Sequence, residues 1–154
     1  MNEKNRLLVL RLVLLLVCTT HVLIGLGIMI GNAGILEFFA QSYGANRVPT
    51  EPEFLYILKP LGAYMVTIGF LAGAAFLDPQ RCKIAIDGVV FLLVLRVLQR
   101  FVFGGQAQQA FGISTSQLVF QSLFFLAIAV ALLFFRPRKA TETGTPPVSR
   151  GATG

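Results

Sequence analysis

The sequence has no tryptophan, a single histidine at position 21 and two cysteines, Cys18 and Cys82. The cysteines form no C-x-x-C pair, so dithiol redox chemistry is unsupported. One histidine excludes bis-histidine haem ligation within one chain, and a metal site would need further histidine or cysteine ligands. Apart from Cys18 on an apolar helix, no nucleophile is placed beside His21. We therefore favour a protein that is not an enzyme and uses no metal.

Charge is scarce as well, at 13% of residues, whereas 55% are hydrophobic. Such a composition with long apolar runs is typical of membrane proteins. The net charge of +6 then reflects membrane topology rather than nucleic-acid binding. No basic stripe interleaved with aromatic residues suggests a nucleic-acid partner.

The apolar runs predict an all-α fold, an integral membrane four-helix bundle with antiparallel up-down-up-down order. The spans are predicted at about residues 12–30, 53–77, 84–103 and 114–135. Together they form one transmembrane domain over residues 1–139, followed by a disordered cytoplasmic tail at 140–154 that lacks hydrophobic content. A cleaved signal peptide is the alternative for the first run, which is long for one.

The connections between the spans predict the orientation. Basic residues crowd the N-terminus, the turn at 78–83 and the segment after the last helix, whereas the connections at 31–56 and 104–113 carry few. The positive-inside rule then places both termini in the cytoplasm of a multi-pass protein in the bacterial inner membrane. We predict a loop at 104–112, and at 32–50 either a short interfacial helix or a continuation of the first span.

Two arginines lie inside the third predicted span. Arg96 and Arg100 are four residues apart and so share one face of the helix, and Gln99 extends that polar face in part. An arginine at the bilayer centre costs roughly 2.5–3.5 kcal/mol, so the pair should face the bundle and find acceptors. Three interpretations stay open: a structural ion pair, a binding site for an anion, head group or partner protein, and arginines that reach water.

Other polar residues are expected near these arginines. Glu37 is the acid closest to the outer end of the first span and is the first choice of ion-pair partner. Gln117 and Gln121 share a face of the fourth helix at about the same depth. In the second helix, which Thr50 is expected to cap, Lys59 and Tyr64 are expected beside a kink at Pro60, with either a packing or a binding role.

His21 falls near the middle of the first span, one turn before Gly25. The plain interpretation is close helix packing, with the imidazole hydrogen-bonded inside the bundle. The alternative is an axial ligand for a haem or chlorophyll-type tetrapyrrole, with Gly25 leaving room for the ring. Two G-x-x-x-G motifs, at Gly27–Gly31 and Gly69–Gly73, lie at opposite depths and should not pack on each other.

Four short motifs of the sequence carry a family resemblance: H-x-L-I-G-L-G from His21, F-L-Y-x-L-K-P-L-G-A-Y from Phe54, Asp78-Pro79, and R-x-x-Q-R from Arg96. Over roughly residues 12–135 the chain resembles small bacterial four-helix membrane proteins of the BphX-like and DoxX-like kind. The resemblance to the BphX-like proteins implies a fold without an assigned activity. The resemblance to the DoxX-like proteins implies an accessory role in membrane oxidoreductase or respiratory assemblies.

Three functions are therefore compared. The first is an accessory or assembly subunit whose polar cluster binds a partner helix or a lipid head group. The second is a carrier for a lipid or small molecule, which would need an oligomer because four helices form a thin pathway and no inverted repeat is evident. The third is a pigment- or haem-binding protein that uses His21.

Overall fold

The structure, a computed structural model, describes residues 2–46, 49 and 51–137. Over these residues the chain is helical and contains no strand, which confirms the all-α prediction. Its helices are α1 (Glu3–Ile30), α2 (Ala33–Ser42), α3 (Pro52–Leu77), α4 (Lys83–Phe111) and α5 (Thr115–Phe135). The predicted cap Thr50 and the predicted tail at 140–154 lie outside the described residues.

Three helices, α1, α3 and α5, are long and apolar enough to cross a membrane. The shortest of them, α5, has 21 residues and is therefore about 32 Å long, close to the roughly 30 Å of a hydrocarbon core. These helices support the prediction of a membrane protein.

Local sequence explains several helix ends. Gly31 has an extended backbone and ends α1, and the side chain of Asn32 caps α2 by accepting a hydrogen bond from the Ile35 amide at 3.2 Å. This confirms the short-helix alternative for the first connection. Ser114 caps α5 in the same way, because its hydroxyl accepts from the Gln117 amide at 3.3 Å.

The predicted loop at 104–112 is wrong, since α4 continues through Phe111. The glycines at 104 and 105 suggested a break, but the alanines and glutamines after them are good helix formers and carry the helix on. It ends only at Gly112, whose φ of 66° lies in the left-handed region that glycine adopts readily at a C-terminal cap. Arg100 therefore lies about 16 Å before the helix end, at 1.5 Å per residue, and not within its last turn.

The closest helix contact joins α1 and α3, which run antiparallel. A Cβ atom on Gly25 would lie 2.7 Å from the carbonyl oxygen of Gly62, and one on Gly62 would lie 2.7 Å from the carbonyl oxygen of Gly25. Further along, Gly69 lies against Val22 and Cys18. Because these positions lack side chains, the two backbones touch directly.

The other long helices complete the packing. Helix α4 packs against α5, with further contacts between α3 and α4 and between α1 and α5. At one end Arg136 forms a 2.6 Å salt bridge with Asp87, and Arg6 donates to the Phe134 carbonyl at 3.1 Å. The start of α1 and the end of α5 therefore lie side by side. The centre of the core is aliphatic, with Leu10, Leu14, Val17, Ile86, Leu93 and Leu132.

Candidate functional site

The two arginines of α4 lie against one aromatic ring on α5. The guanidinium carbon of Arg96 is 5.6 Å from the centre of the Phe125 ring, and that of Arg100 is 4.7 Å away. Phe125 is only 6% exposed, so the ring holds both cations from inside the protein. A cation over an aromatic face gains about 0.5–2 kcal/mol. That gain offsets only part of the cost of removing a guanidinium from water.

Neither arginine has an acidic partner among the residues that the structure describes. No salt bridge or hydrogen bond joins Arg96 or Arg100 to another side chain or to a carbonyl within the described part of the chain. The Nη1 atom of Arg100 is fully buried and has no hydrogen-bond acceptor there. A buried donor without an acceptor is unfavourable by about 1–3 kcal/mol, and more when it is charged. The guanidinium groups therefore keep donors that no described residue satisfies.

A cavity of about 330 Å³ lies beside the arginines, and we call it the arginine cavity. Arg96, Gln99 and Arg100 of α4 form its polar side, together with Tyr43 at the end of α2. The remaining wall is apolar and comes mainly from Ile24, Ile28, Leu36, Phe39, Phe54, Leu58, Met65 and Phe111. Among the described residues that line it there is no aspartate or glutamate, so the cavity combines positive charge with an apolar wall.

His21 is 5% exposed and lies on α1 three residues before Ile24, which lines the arginine cavity. Its Nδ1 atom is 2.9 Å from the carbonyl oxygen of Val17. A carbonyl oxygen can only accept, so Nδ1 carries the hydrogen, and in the neutral ring Nε2 is then an acceptor. The Nε2 atom is buried and has no partner among the described residues.

A second, smaller cavity of about 60 Å³ touches His21, and we call it the histidine cavity. Ile24, Tyr43, Met65 and Arg96 line both cavities. The imidazole of His21 lines the histidine cavity, and Arg96 and Tyr43 border both cavities. This arrangement offers an anion-binding side and, at Nε2, a hydrogen-bond acceptor.

Helix α5 holds the end of α2 over the site. Gln121 donates from Nε2 to the Tyr43 carbonyl at 2.8 Å. The next residue, Gly44, has a φ of 80° and lies so close to Gln117 that a Cβ atom would overlap the amide group of that side chain. The two glutamines therefore position the α2 end, including Tyr43, rather than contacting the arginines.

Replacing Gln121 with alanine should loosen this end of α2. The Tyr43 carbonyl would lose a hydrogen bond worth about 0.5–1.5 kcal/mol, so amides in residues 33–46 should exchange about three- to tenfold faster. Hydrogen–deuterium exchange measures this effect. Gln106→Ala is the matched control, because Gln106 is exposed on α4. Equal exchange in the two variants would contradict the role given to Gln121.

Of the other predicted site residues, one lines the arginine cavity and two lie away from it. Gln99 lines the arginine cavity beside the two arginines. Lys59 is exposed and borders a different pocket, beside Tyr56 and Pro52, whereas Tyr64 is 68% exposed on the outside of α3. Lys59 and Tyr64 therefore do not belong to the cavity.

The predicted ion pair of Glu37 with the arginines is not found. Glu37 is exposed on α2, and its Oε1 atom accepts from Gln41 Nε2 at 3.2 Å. The face of α2 that lines the cavity is the apolar one, with Leu36, Phe39 and Ala40. The helical rotation between Leu36 and Glu37 turns the carboxylate outward.

The space next to Gly25, which a tetrapyrrole ring at His21 was expected to use, is filled by protein. The carbonyl oxygen of Gly62 and the Val66 side chain occupy it. The histidine cavity, at about 60 Å³, is far smaller than a tetrapyrrole. In the part of the chain that the structure covers, no group of three His, Cys, Asp or Glu residues could hold a metal ion.

Two residues of the site were not predicted from the sequence. Tyr43 lines both cavities, and the only signal for it was its position among three tyrosines near the predicted membrane surface. Phe125 gave no signal, because it is one of 14 phenylalanines in apolar runs.

Comparisons with family models, with curated proteins and with solved structures find no match to this chain. The resemblance to BphX-like and DoxX-like proteins therefore stays a prediction. The interpretation of the site depends on its own geometry and charge.

Proposed function

We propose that this chain is a non-enzymatic integral membrane protein that binds the anionic head group of a membrane lipid at Arg96 and Arg100. The observation that carries the proposal is a pair of arginines in a mostly apolar cavity, with no acidic partner in the part of the chain that the structure describes. Guanidinium groups stay charged and bind carboxylate or phosphate oxygens through paired hydrogen bonds. An anionic oxygen would give the buried Nη1 of Arg100 the acceptor that it lacks.

A groove on the protein surface supports a lipid as the ligand. Between α4 and α5 it has a volume of about 420 Å³ and reaches Arg100 from the outside. Apolar side chains line most of it, including Val97, Phe101, Leu118 and Leu126. An acyl chain suits this groove, because Arg100 borders both the groove and the arginine cavity.

The position of α2 favours a lipid over a partner helix. Leu36, Phe39 and Tyr43 line the arginine cavity, so α2 stands between the arginines and any helix that approaches from that side. A head group needs far less space than a helix about 10 Å in diameter. The accessory-subunit role then depends only on the resemblance to DoxX-like proteins.

The proposal includes the membrane topology. We infer that α1, α3, α4 and α5 all span the bacterial inner membrane with both termini in the cytoplasm. The contact of Arg6 with the end of α5 supports termini on one side, and the distribution of basic residues supports the cytoplasmic side. Helix α4 has 29 residues and is about 43 Å long, sufficient to span, and its arginines lie against Phe125 of α5.

Lipid retention tests the proposed function. In native mass spectrometry from mild detergent, the wild-type protein should retain phosphatidylglycerol in preference to zwitterionic phosphatidylcholine. The double variant Arg96→Gln/Arg100→Gln should retain at least about tenfold less, since each hydrogen bond to a charged group contributes about 1.5–3 kcal/mol.

Arg81→Gln is the control for a general loss of positive charge, because this side chain is 89% exposed in the turn after α3. It should retain phosphatidylglycerol like the wild type. If the double variant also retained it fully, the arginines would not be the binding site and the proposal would be wrong.

A further inference from the structure

We propose that the bound lipid carries a hydroxyl group on its anionic head, and that this hydroxyl donates a hydrogen bond to Nε2 of His21. The inference rests on the proposed function and narrows its ligand class. It includes glycerol-type head groups and phosphate monoesters that keep one proton. It excludes simple fatty carboxylates and phosphate diesters without a hydroxyl.

The first step is the state of the imidazole. Because Nδ1 donates to the Val17 carbonyl at 2.9 Å, the neutral ring has its lone pair at Nε2. That atom is buried without a partner among the described residues, on a side chain that is 5% exposed. A ligand atom that satisfies it must therefore carry a hydrogen.

The second step is that the hydroxyl of Thr20 is used elsewhere. Thr20 lines the histidine cavity together with His21. Its hydroxyl is 2.8 Å from the Leu16 carbonyl and 3.1 Å from the Val17 carbonyl. It is therefore engaged with the backbone of its own helix, and the Nε2 atom of His21 is left without a partner in the described chain.

The third step is the position of the imidazole relative to the charge. Arg96 borders both cavities, so a head group on the arginines lies next to the histidine cavity. At about 60 Å³ that cavity exceeds the roughly 10–15 Å³ that one water molecule needs, and it can take a hydroxymethyl group. One head group can thus place its anionic oxygens on Arg96 and Arg100 and its hydroxyl at His21.

Two lipids of equal charge test the inference. Phosphatidylglycerol and phosphatidylmethanol are both anionic phosphate diesters, but only the first has hydroxyl groups on its head. With matched acyl chains, competition in native mass spectrometry should show a three- to tenfold preference for phosphatidylglycerol, as expected for one hydrogen bond. In His21→Asn the preference should fall to about one, because the shorter amide can still donate to Val17 but does not reach the Nε2 position.

Equal binding of the two lipids by the wild-type protein would overturn the inference and leave the proposed function standing; His21 would then accept from a trapped water. A preference that survives in His21→Asn would also overturn it, since the hydroxyl would be recognised elsewhere. If neither lipid bound better than phosphatidylcholine, the proposed function itself would fail. The comparison within the wild-type protein needs no variant to fold.

Discussion

Replacing Gly62 with alanine is expected to lower the free energy of unfolding by about 1–3 kcal/mol, the usual cost of overpacking. The added Cβ atom would lie 2.7 Å from the carbonyl oxygen of Gly25 and 3.1 Å from the Met29 amide nitrogen. Both are backbone atoms, so no side chain can rotate away and α1 must separate from α3. Gly25→Ala should behave in the same way, because its Cβ atom would meet the Gly62 carbonyl.

Gly88→Ala is the matched control for this substitution. Gly88 also lies inside a long helix, but a Cβ atom there would meet nothing within 4 Å. Alanine is favoured over glycine in a helix by roughly 0.5–1 kcal/mol, so this variant should be unchanged or slightly more stable. Unfolding in mixed micelles measures both variants, and equal stabilities would refute the close contact of α1 with α3.

Replacing Arg96 with methionine is expected to stabilise the protein when no anionic lipid is present. Removing a charge from water costs several kcal/mol even after relaxation, and the cation–π contact with Phe125 at 5.6 Å returns about 0.5–2 kcal/mol. Methionine is unbranched and fills irregular space without charge. We expect a gain of about 1–4 kcal/mol, the range seen when buried ionic groups are replaced by apolar ones.

The same variant should lose its response to lipid. Saturating phosphatidylglycerol at a hundred times the Kd stabilises a binding protein by about 2.7 kcal/mol, so the wild-type Tm should rise markedly while that of Arg96→Met rises little. Thermal unfolding in detergent with and without the lipid measures both effects. Arg81→Met, at an exposed site, controls for the loss of charge. A lower Tm for Arg96→Met without lipid would show that the arginine stabilises the fold.

The placement of the arginines was predictable from the sequence, because two cations in an apolar helix must avoid the lipid. Their neighbours were not predictable. Glu37 was expected at the depth of the arginines, but the rotation of α2 turns that side chain outward, and the cations lie on Phe125 instead. Depth in a membrane follows from position along a helix, whereas direction depends on packing that no single helix encodes.

The helical class followed from the apolar runs, and the short helix α2 was one of two alternatives for its segment, but the helix contacts did not follow from the sequence. The two G-x-x-x-G motifs contain Gly27, Gly31, Gly69 and Gly73. Of these four glycines, only Gly69 lies against backbone atoms of another helix, at Cys18 and Val22 of α1. The closest approach uses Gly25 and Gly62. Neither Gly25 nor Gly62 has a second glycine four residues away in its own helix. The pair therefore becomes evident only when both helices are placed together.

The contact of Gly25 with Gly62 joins α1 and α3, two helices that the ribosome makes before α4 and α5. Helix α1 emerges before its partner, and α3 then completes a glycine-packed pair. Helix α4 follows with both arginines, while Phe125 and Gln121 are still unmade on α5. With α4 spanning the membrane as proposed above, we therefore expect it to be the least stably inserted helix of the nascent chain until α5 is made.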